Sequence, residues 1–415
     1  MYIHRDLEKK IIKYLDSPEI LAIIGPRQSG KTTLIKNVLK TLKNAVYIDF
    51  EDREVLELFN SDIKSFYKLY VKDSKYLFVD EFQYAKEGGK KLKYLYDTFK
   101  LKIIISGSSS LDLTKQAIKY LVGRVFVFYL YPFSFKEYLD FRDKSCYENI
   151  YLDIHETVKE YFLYKKKSIP LISPEMIKKI NKYYHEYAIF GGYPRVVLAK
   201  GIEEKITVLK NIYNTYFLRE IRDILQLSTE VELQKLIKCL ALQTGSIVSY
   251  KELSQTTSLN YNNLLKHLNI LENTFVIKKL LPFFRNKRTE IAKAPKIYFV
   301  DNGLRNMSVG NFQDMGERVD RGSINENFIA GELLKQEFAI NYWRTKSNAE
   351  VDFILEKQGK HSAIEVKSRL SSDKIGRALI AFKEKYPDFR ITIVSENYYS
   401  FNKKEQVFFL PLFFV

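Results

Sequence analysis

Four runs in the first third of the chain, "EILAIIG", "NAVYIDF", "KYLFVDE" and "LKIIISG", are nearly continuous in apolar residues. Such runs predict parallel strands buried on both faces. Helical patterns lie between them, which predicts a doubly wound α/β domain over residues 1–131. From about Pro132 the period changes: "SFKEYLDF", "DIHETVKEYFLY" and "PEMIKKINKYYHEYAIF" carry apolar residues at helix spacing. Residues 132–228 therefore read as a helical lid or connector.

A third pattern starts near Thr229. "EVELQKLIKCLALQTG" predicts a helix ended by Gly245, and "SYKELSQTTS" follows with Ser249 and Glu252 at capping-box spacing. In "LNYNNLLKHLNILENT", Leu264, Leu268 and Leu271 fall on one helix face. The apolar run "FVIKKLLPFF", a basic turn "RNKR" and "APKIYFVD" complete three short helices and a hairpin, the plan of a winged helix-turn-helix over 229–321. Residues 322–415 read as a last α/β domain. It has a helix "NENFIAGELLKQEF", strands "VDFIL" and "SAIEV", a helix "DKIGRALIAFKEKY", a strand "RITIVS" and a buried apolar end "QVFFLPLFFV".

Charge narrows the partners. The 67 Lys and Arg against 50 Asp and Glu leave a formal net charge of +17, which suits a polyanion such as DNA. Lysine runs such as Lys165 to Lys167 also fit plain solvated helix faces. The two cysteines, Cys146 and Cys239, match no metal spacing and point to buried thiols in a reducing compartment. No apolar run reaches the roughly 18 residues of a membrane span, so a soluble cytoplasmic protein without a membrane partner is expected.

The strongest chemical signal is "GPRQSGKTT", which fits G-x-x-x-x-G-K-[ST] between an apolar strand and a helical pattern. Gly25, Pro26, Arg27, Gln28, Ser29, Gly30, Lys31, Thr32 and Thr33 form the expected ATP loop, in which backbone N–H groups wrap phosphates ahead of a helix N-terminus. Lys31 is assigned to the β- and γ-phosphates and Thr32 to Mg²⁺. In "KYLFVDEFQYA" the strand ends in Asp80, a candidate for the Mg²⁺ shell, and Glu81, a candidate for polarising the attacking water. "IIISGSSS" offers Ser106, Ser108, Ser109 and Ser110. Ser108 is the preferred γ-phosphate sensor, against the equally weighted reading of a serine-rich turn. Arg124 in "LVGRVFVF" is read as a finger for a neighbouring subunit in a homo-oligomer, or as an ordinary surface residue.

In the third segment, Asn260, Tyr261, Asn262, Asn263, Lys266 and His267 stand on the expected recognition helix, and Arg285 to Arg288 form the wing turn. Amides pair with adenine edges and lysines contact phosphates, although winged helices also serve as protein-docking domains. In the last segment, Asp352 on one strand and Glu365-x-Lys367 on the next form the pattern of a divalent-metal nuclease centre. Glu326, or Glu332, would add a helix carboxylate. Glu365 and Lys367 share a strand face, and oxygen ligands favour a second Mg²⁺ or Mn²⁺. Asp352 and Glu365 are equally compatible with exposed strand polars. Trp343, Arg344 and Lys346 lie just upstream, suited to stacking on or neutralising nucleic acid, or to packing the domain edge.

The ordered series "GPRQSGKTTL", "YIDFED", "FVDEFQ", "SGSSS", "GRVFVFYLYPFSFKEYL", "FGGYPRVV", "KIYFVDNGL" and "NENFIAGEL" resembles prokaryotic AAA-type P-loop ATPases that end in a winged-helix and restriction-endonuclease-like (PD-(D/E)XK) region. The resemblance covers most of the chain. It implies ATP binding and hydrolysis at Gly25 to Thr33, a nuclease-like fold at the end of the chain, and Arg195 as a lid-side nucleotide sensor or a helix-end cation. Three functions follow. They are an ATP-driven DNA-directed machine, a nucleotide-gated interaction ATPase on an inert nuclease-like scaffold, and a plain DNA-binding regulator.

Overall fold

The computed structural model describes residues 2–108, 120–121, 123–163, 172–227, 230–286, 290 and 293–415. The chain forms two compact units, Met1–Phe133 with Asn273–Phe275, and Ser134–Glu272 with Val276–Val415. Ser109, Ser110, Lys165 to Lys167, Lys287 and Arg288 lie outside the described residues.

The first unit is built on a five-stranded parallel sheet. Its strands are β1 (Ile20–Ile24), β2 (Ala45–Asp49), β3 (Tyr76–Asp80), β4 (Lys102–Gly107) and β5 (Val125–Tyr129), in the order β2-β3-β4-β1-β5. β1, β3 and β4 are buried along their whole length, as their unbroken apolar runs require. β5 is an edge strand with mostly half-buried residues, so its alternation is weak; the sequence reading has it only as an apolar segment. Separate apolar clusters pack the two faces, one around Phe50, Phe59 and Leu92, the other around Ile11, Leu34 and Ile104. The connections from β1 and β4 lead toward opposite edges of the sheet, the arrangement that in open α/β sheets puts ligands at the carboxyl ends of the central strands.

The second unit begins with helices. Phe135–Arg142 starts at a complete capping box between Ser134 and Glu137, and Pro174–Phe190 starts with Ser173 as N-cap and Pro174 in the first turn. Three helices follow, Val231–Leu242, Tyr250–Thr257 and Tyr261–Asn273, and then an antiparallel pair, β6 (Ile277–Leu280) and β7 (Lys296–Phe299). The Ser249 hydroxyl accepts from the Glu252 N–H at 3.3 Å, as the capping-box spacing predicts. Leu264, Leu268 and Leu271 are buried on one face of Tyr261–Asn273.

The last part is a mixed six-stranded sheet. It contains β8 (Ala339–Arg344), β9 (Glu350–Lys357), β10 (Lys360–Val366), β11 (Arg390–Ser395), β12 (Ser400–Asn402) and β13 (Val407–Pro411), in the order β12-β13-β11-β10-β9-β8. β9 and β10 are antiparallel, whereas β10, β11 and β13 run parallel. The helix Arg377–Lys385 buries Leu379 and Phe382 in the same apolar cluster as Trp343, Ile354 and Phe409. No helix among the described residues is long and apolar enough to cross a membrane.

Candidate functional site

The phosphate-loop residues follow β1 and lead directly into the helix Lys31–Leu39. Gly30 is its N-cap with φ 96°, and Gln28 also takes a positive φ of 59°. Gly25 is held against the Leu130 carbonyl; a Cβ there would lie 2.0 Å from that oxygen. The Lys31 ammonium turns back to donate to the Gly25 and Pro26 carbonyls at 2.9 and 3.0 Å. Arg27 donates to the Tyr84 hydroxyl at 3.3 Å, and Thr33 is exposed. The Ser29 hydroxyl is fully buried with no protein partner, an orphaned donor inside a loop rich in N–H groups.

Asp80 is the hub of the polar network. Its carboxylate accepts from the Thr32 hydroxyl at 2.5 Å, from the Tyr47 hydroxyl at 2.9 Å, from the Ser106 hydroxyl, and from the Glu81 N–H at 3.1 Å. Burial and the Asp80 charge push the Tyr47 phenol far up, so it stays a neutral donor. Glu81 has φ 51°, and burial raises its carboxyl against the opposing pull of Lys31. Gln83 donates to Glu81 and, at 3.3 Å, to the buried Ser108 hydroxyl. Strand ends β1, β3 and β4 thus bring Lys31, Thr32, Asp80, Glu81, Ser106 and Ser108 into one polar network. Arg124 precedes β5 beside the start of β1, at the amino end of the parallel sheet and away from the carboxyl ends where this network lies, and it pairs with Asp97 at 3.5 Å.

A second cluster forms in the second unit. Lys296, with 2 % of its side chain exposed, extends its ammonium to Glu350 at 2.5 Å, Glu326 at 3.3 Å and Asp352 at 4.0 Å. The Tyr298 hydroxyl donates to Glu326, and the Val366 N–H donates to Asp352 at 2.8 Å. Lys367 pairs with Glu365 at 2.5 Å. Burial and then the charge of Asp352 raise Glu326 to about 8 and Glu365 to about 7. Glu326, Asp352, Glu365 and Lys367 therefore come together as the sequence suggests. Among the described residues, however, no three or more acidic, histidine or cysteine side chains are arranged to hold a metal ion. The carboxylates face an ammonium, and a divalent ion does not fit them as they stand.

Residues 17–139 match the model of a family described as "AAA domain". The N-terminal domain is a P-loop AAA-type ATPase. That membership makes the chain an ATP-hydrolysing enzyme. Residues 181–314 and 321–414 match two further families, both described as domains of unknown function, DUF8612 and DUF4143. An uncharacterized protein of Methanocaldococcus jannaschii is 26% identical over 412 residues, 96% of this chain and 85% of its own length. One from Haemophilus influenzae is 25% identical over 367 residues, 84% of this chain and 82% of its own. Among solved structures, the Walker-type ATPase of Pyrococcus abyssi aligns at 16% identity and a TM-score of 0.46, covering 74% of this chain and 96% of its own.

Beside the AAA domain's network, several expected contacts resolve differently. Glu332 is absent from the acidic cluster; it accepts from the Phe135 N–H, the Tyr187 hydroxyl and Lys335, and so ties helices together. Trp343 is buried edge-on against Phe382, 5.1 Å between centroids, and is closed to base stacking. His267 is buried with its Nδ1 on the Asn263 carbonyl at 2.6 Å, so it belongs to the helix core and not to a reading surface. Asn260, Tyr261, Asn262, Asn263 and Lys266 are exposed, as are Arg195, Arg285 and Lys346. Arg344 pairs with Glu350 at 3.0 Å. Both cysteines are free thiols, Cys146 buried and Cys239 partly so.

Sequence reasoning missed Tyr47, Arg5, Lys296, Tyr298 and Glu350. Lys296 carried a signal: it heads the apolar run "KIYFV", whose strand is buried throughout, and a buried lysine needs paired charge.

Proposed function

We propose that the AAA domain drives a DNA-directed machine, with a winged-helix module over 229–321 and a restriction-endonuclease-like domain over 322–415. ATP with Mg²⁺ supplies the phosphoanhydride when bound. Gly25 to Thr33 would wrap the phosphates, with Lys31 available to the β- and γ-oxygens, and Thr32 and Asp80 would hold the ion. Glu81 orients the attacking water and Ser108 reads the γ-phosphate. The orphaned Ser29 hydroxyl and the Thr32–Asp80 contact support this fit. Arg124, at the amino end of its own sheet, serves a neighbouring copy in a homo-oligomer, and Arg195 senses nucleotide from the lid. Two free thiols suit a cytoplasmic location.

One observation carries the DNA reading: Asn260, Tyr261, Asn262, Asn263 and Lys266 are all exposed at the start of a helix whose opposite face is buried. Amides and a lysine so placed read base edges and phosphates. The test is duplex affinity against salt. A steep fall in the wild type, with a slope smaller by about one in Lys266→Ala, supports it. Salt-independent binding or none favours the nucleotide-gated interaction ATPase, a reading that the burial of Trp343 and His267 also supports.

A further inference from the structure

The acidic cluster of the second unit is organised around a side chain that no metal-centre pattern contains. β7 delivers Lys296 into it, and backbone pairing holds that strand from several sides. Lys296 pairs with Leu280 of β6 and bridges to Ile247, the Gly245 N–H donates to the Ile297 carbonyl at 3.1 Å, and the Val248 N–H donates to the Pro295 carbonyl at 2.9 Å. Pairing fixes where the side chain leaves the strand, and its burial, 2 % exposed, confines the ammonium among these carboxylates.

Most of the acceptors are correspondingly engaged. Glu350 takes Lys296 on one oxygen and Arg344 on the other. Glu326 takes Lys296 and Tyr298 on one oxygen, while bare Gly245 backs its carboxylate so closely that a Cβ would lie 2.9 Å from the other oxygen. Asp352 gives one oxygen to the Val366 N–H and turns the other toward Lys296. Glu365 gives one oxygen to Lys367, and its other oxygen is buried without a protein partner. Mg²⁺ demands oxygens at about 2.1 Å in near-ideal octahedral geometry, whereas an ammonium is served by fewer and more widely spread acceptors.

We infer that Lys296 is the resident cation of this acidic centre, neutralising it from within the chain and closing it to Mg²⁺ and Mn²⁺. The inference rests on reading the last domain as nuclease-like, and it makes that domain one that does not cut by metal-ion chemistry. Carboxylates this buried stay ionised only beside a positive charge. β7 provides it permanently, so the centre needs no ion to stay folded.

The test is Mn²⁺ titration of the nucleotide-free full chain by electron paramagnetic resonance, in wild type, Asp352→Asn and Lys296→Met. Wild type should bind no Mn²⁺ that Asp352→Asn removes. Folded Lys296→Met should gain one site, at least tenfold tighter than any in wild type and lost again when Asp352→Asn is added. A stoichiometric wild-type site abolished by Asp352→Asn overturns the inference, as does a folded Lys296→Met that gains nothing. If Lys296→Met does not fold, the comparison of wild type with Asp352→Asn decides alone. Duplex affinity on the same samples tests the DNA reading separately, and its loss would leave the role of Lys296 standing.

Discussion

The Arg5 guanidinium donates to the Ser29 carbonyl at 2.8 Å and to the Tyr131 carbonyl at 2.6 Å, and it lies 4.5 Å from the centroid of the Phe133 ring. No peptide bond in the described chain is cis. In a trans peptide the C=O and N–H point in opposite directions. Pinning the Ser29 carbonyl therefore fixes the direction of the Gly30 N–H within the expected phosphate loop. Arg5 is a positioning residue for the loop. A charged hydrogen bond is worth about 1.5 kcal/mol or more, so Arg5→Ala should weaken ATP binding by about tenfold. Arg5→Lys should recover part of this. Unchanged nucleotide affinity in a folded Arg5→Ala would remove the role.

Lys31 and Glu81 separate binding from turnover. In the structure Lys31 donates to the Gly25 and Pro26 carbonyls, and it offsets the burial of Glu81. Lys31→Ala should cost turnover by about two orders of magnitude together with much of the ATP affinity, whereas Glu81→Gln should keep binding and lose turnover. Steady-state hydrolysis and nucleotide titration distinguish them. Turnover that survives in either variant would reassign the site.

Glu81 also sets a pH dependence. A water-polarising carboxylate must be ionised, and burial raises its folded pKa above that of an ordinary glutamate. Turnover should therefore fall on the acid side, at a higher pH than a free carboxylate would give. In Lys31→Met, which removes the opposing charge, any residual activity should lose its acid limb at a still higher pH. A kcat profile in wild type and variant checks the direction.

The phosphate end was legible because its signals are local. Glycines, lysine, threonine and two strand-end carboxylates lie in short strings whose order alone places them at the carboxyl ends of β1 and β3. Tyr47 and Arg5 were not legible, since only the strand order β2-β3 and the packing of the helix Asp6–Lys13, which Arg5 precedes, carry them to Asp80 and Ser29. Spacing brought Asp352 to Glu365 correctly, as one antiparallel turn must. It gave no reason to expect Lys296 from 56 residues upstream of Asp352, a distance set by tertiary folding. Nor does the string "FGGYPRVV" announce the partner of its glycines: a Cβ on Gly191 would lie 2.1 Å from Asp301, which accepts from the Gly192 N–H at 2.7 Å.

That close approach predicts a steric requirement. Gly191 has φ 75°, so Gly191→Ala adds both backbone strain and a clash with the fully buried Asp301 carboxylate. The loss should be about 3 kcal/mol or more, read as a lower denaturation midpoint with ATP-loop chemistry otherwise intact. Gly123→Ala, also at φ 75° but with open space around it, should cost only the strain, roughly 1 kcal/mol. Equal losses at the two positions would remove the packing argument.

Acid should unfold the second unit through Glu396. Its side chain is 1% exposed, and burial alone would raise its pKa. Hydrogen bonds from Arg321, then His185 at 2.9 Å and Asn325 at 2.8 Å, overcome burial and hold it down to about 2. A carboxyl depressed on folding contributes stability that is fully present above its unfolded pKa of about 4.5. The contribution is lost as pH falls from there toward 2. A shift of this size corresponds to about 3 kcal/mol. Asp320, held down to about 2 against burial by Arg318 and Arg305, fades over a similar range. Denaturation midpoints should therefore drop steeply between about pH 5 and 2. Glu396→Gln should flatten the slope and lower stability at neutral pH, because Arg321 is left with half its partner. A wild-type midpoint that stays level through that range would show that neither carboxylate is tied as the structure has it.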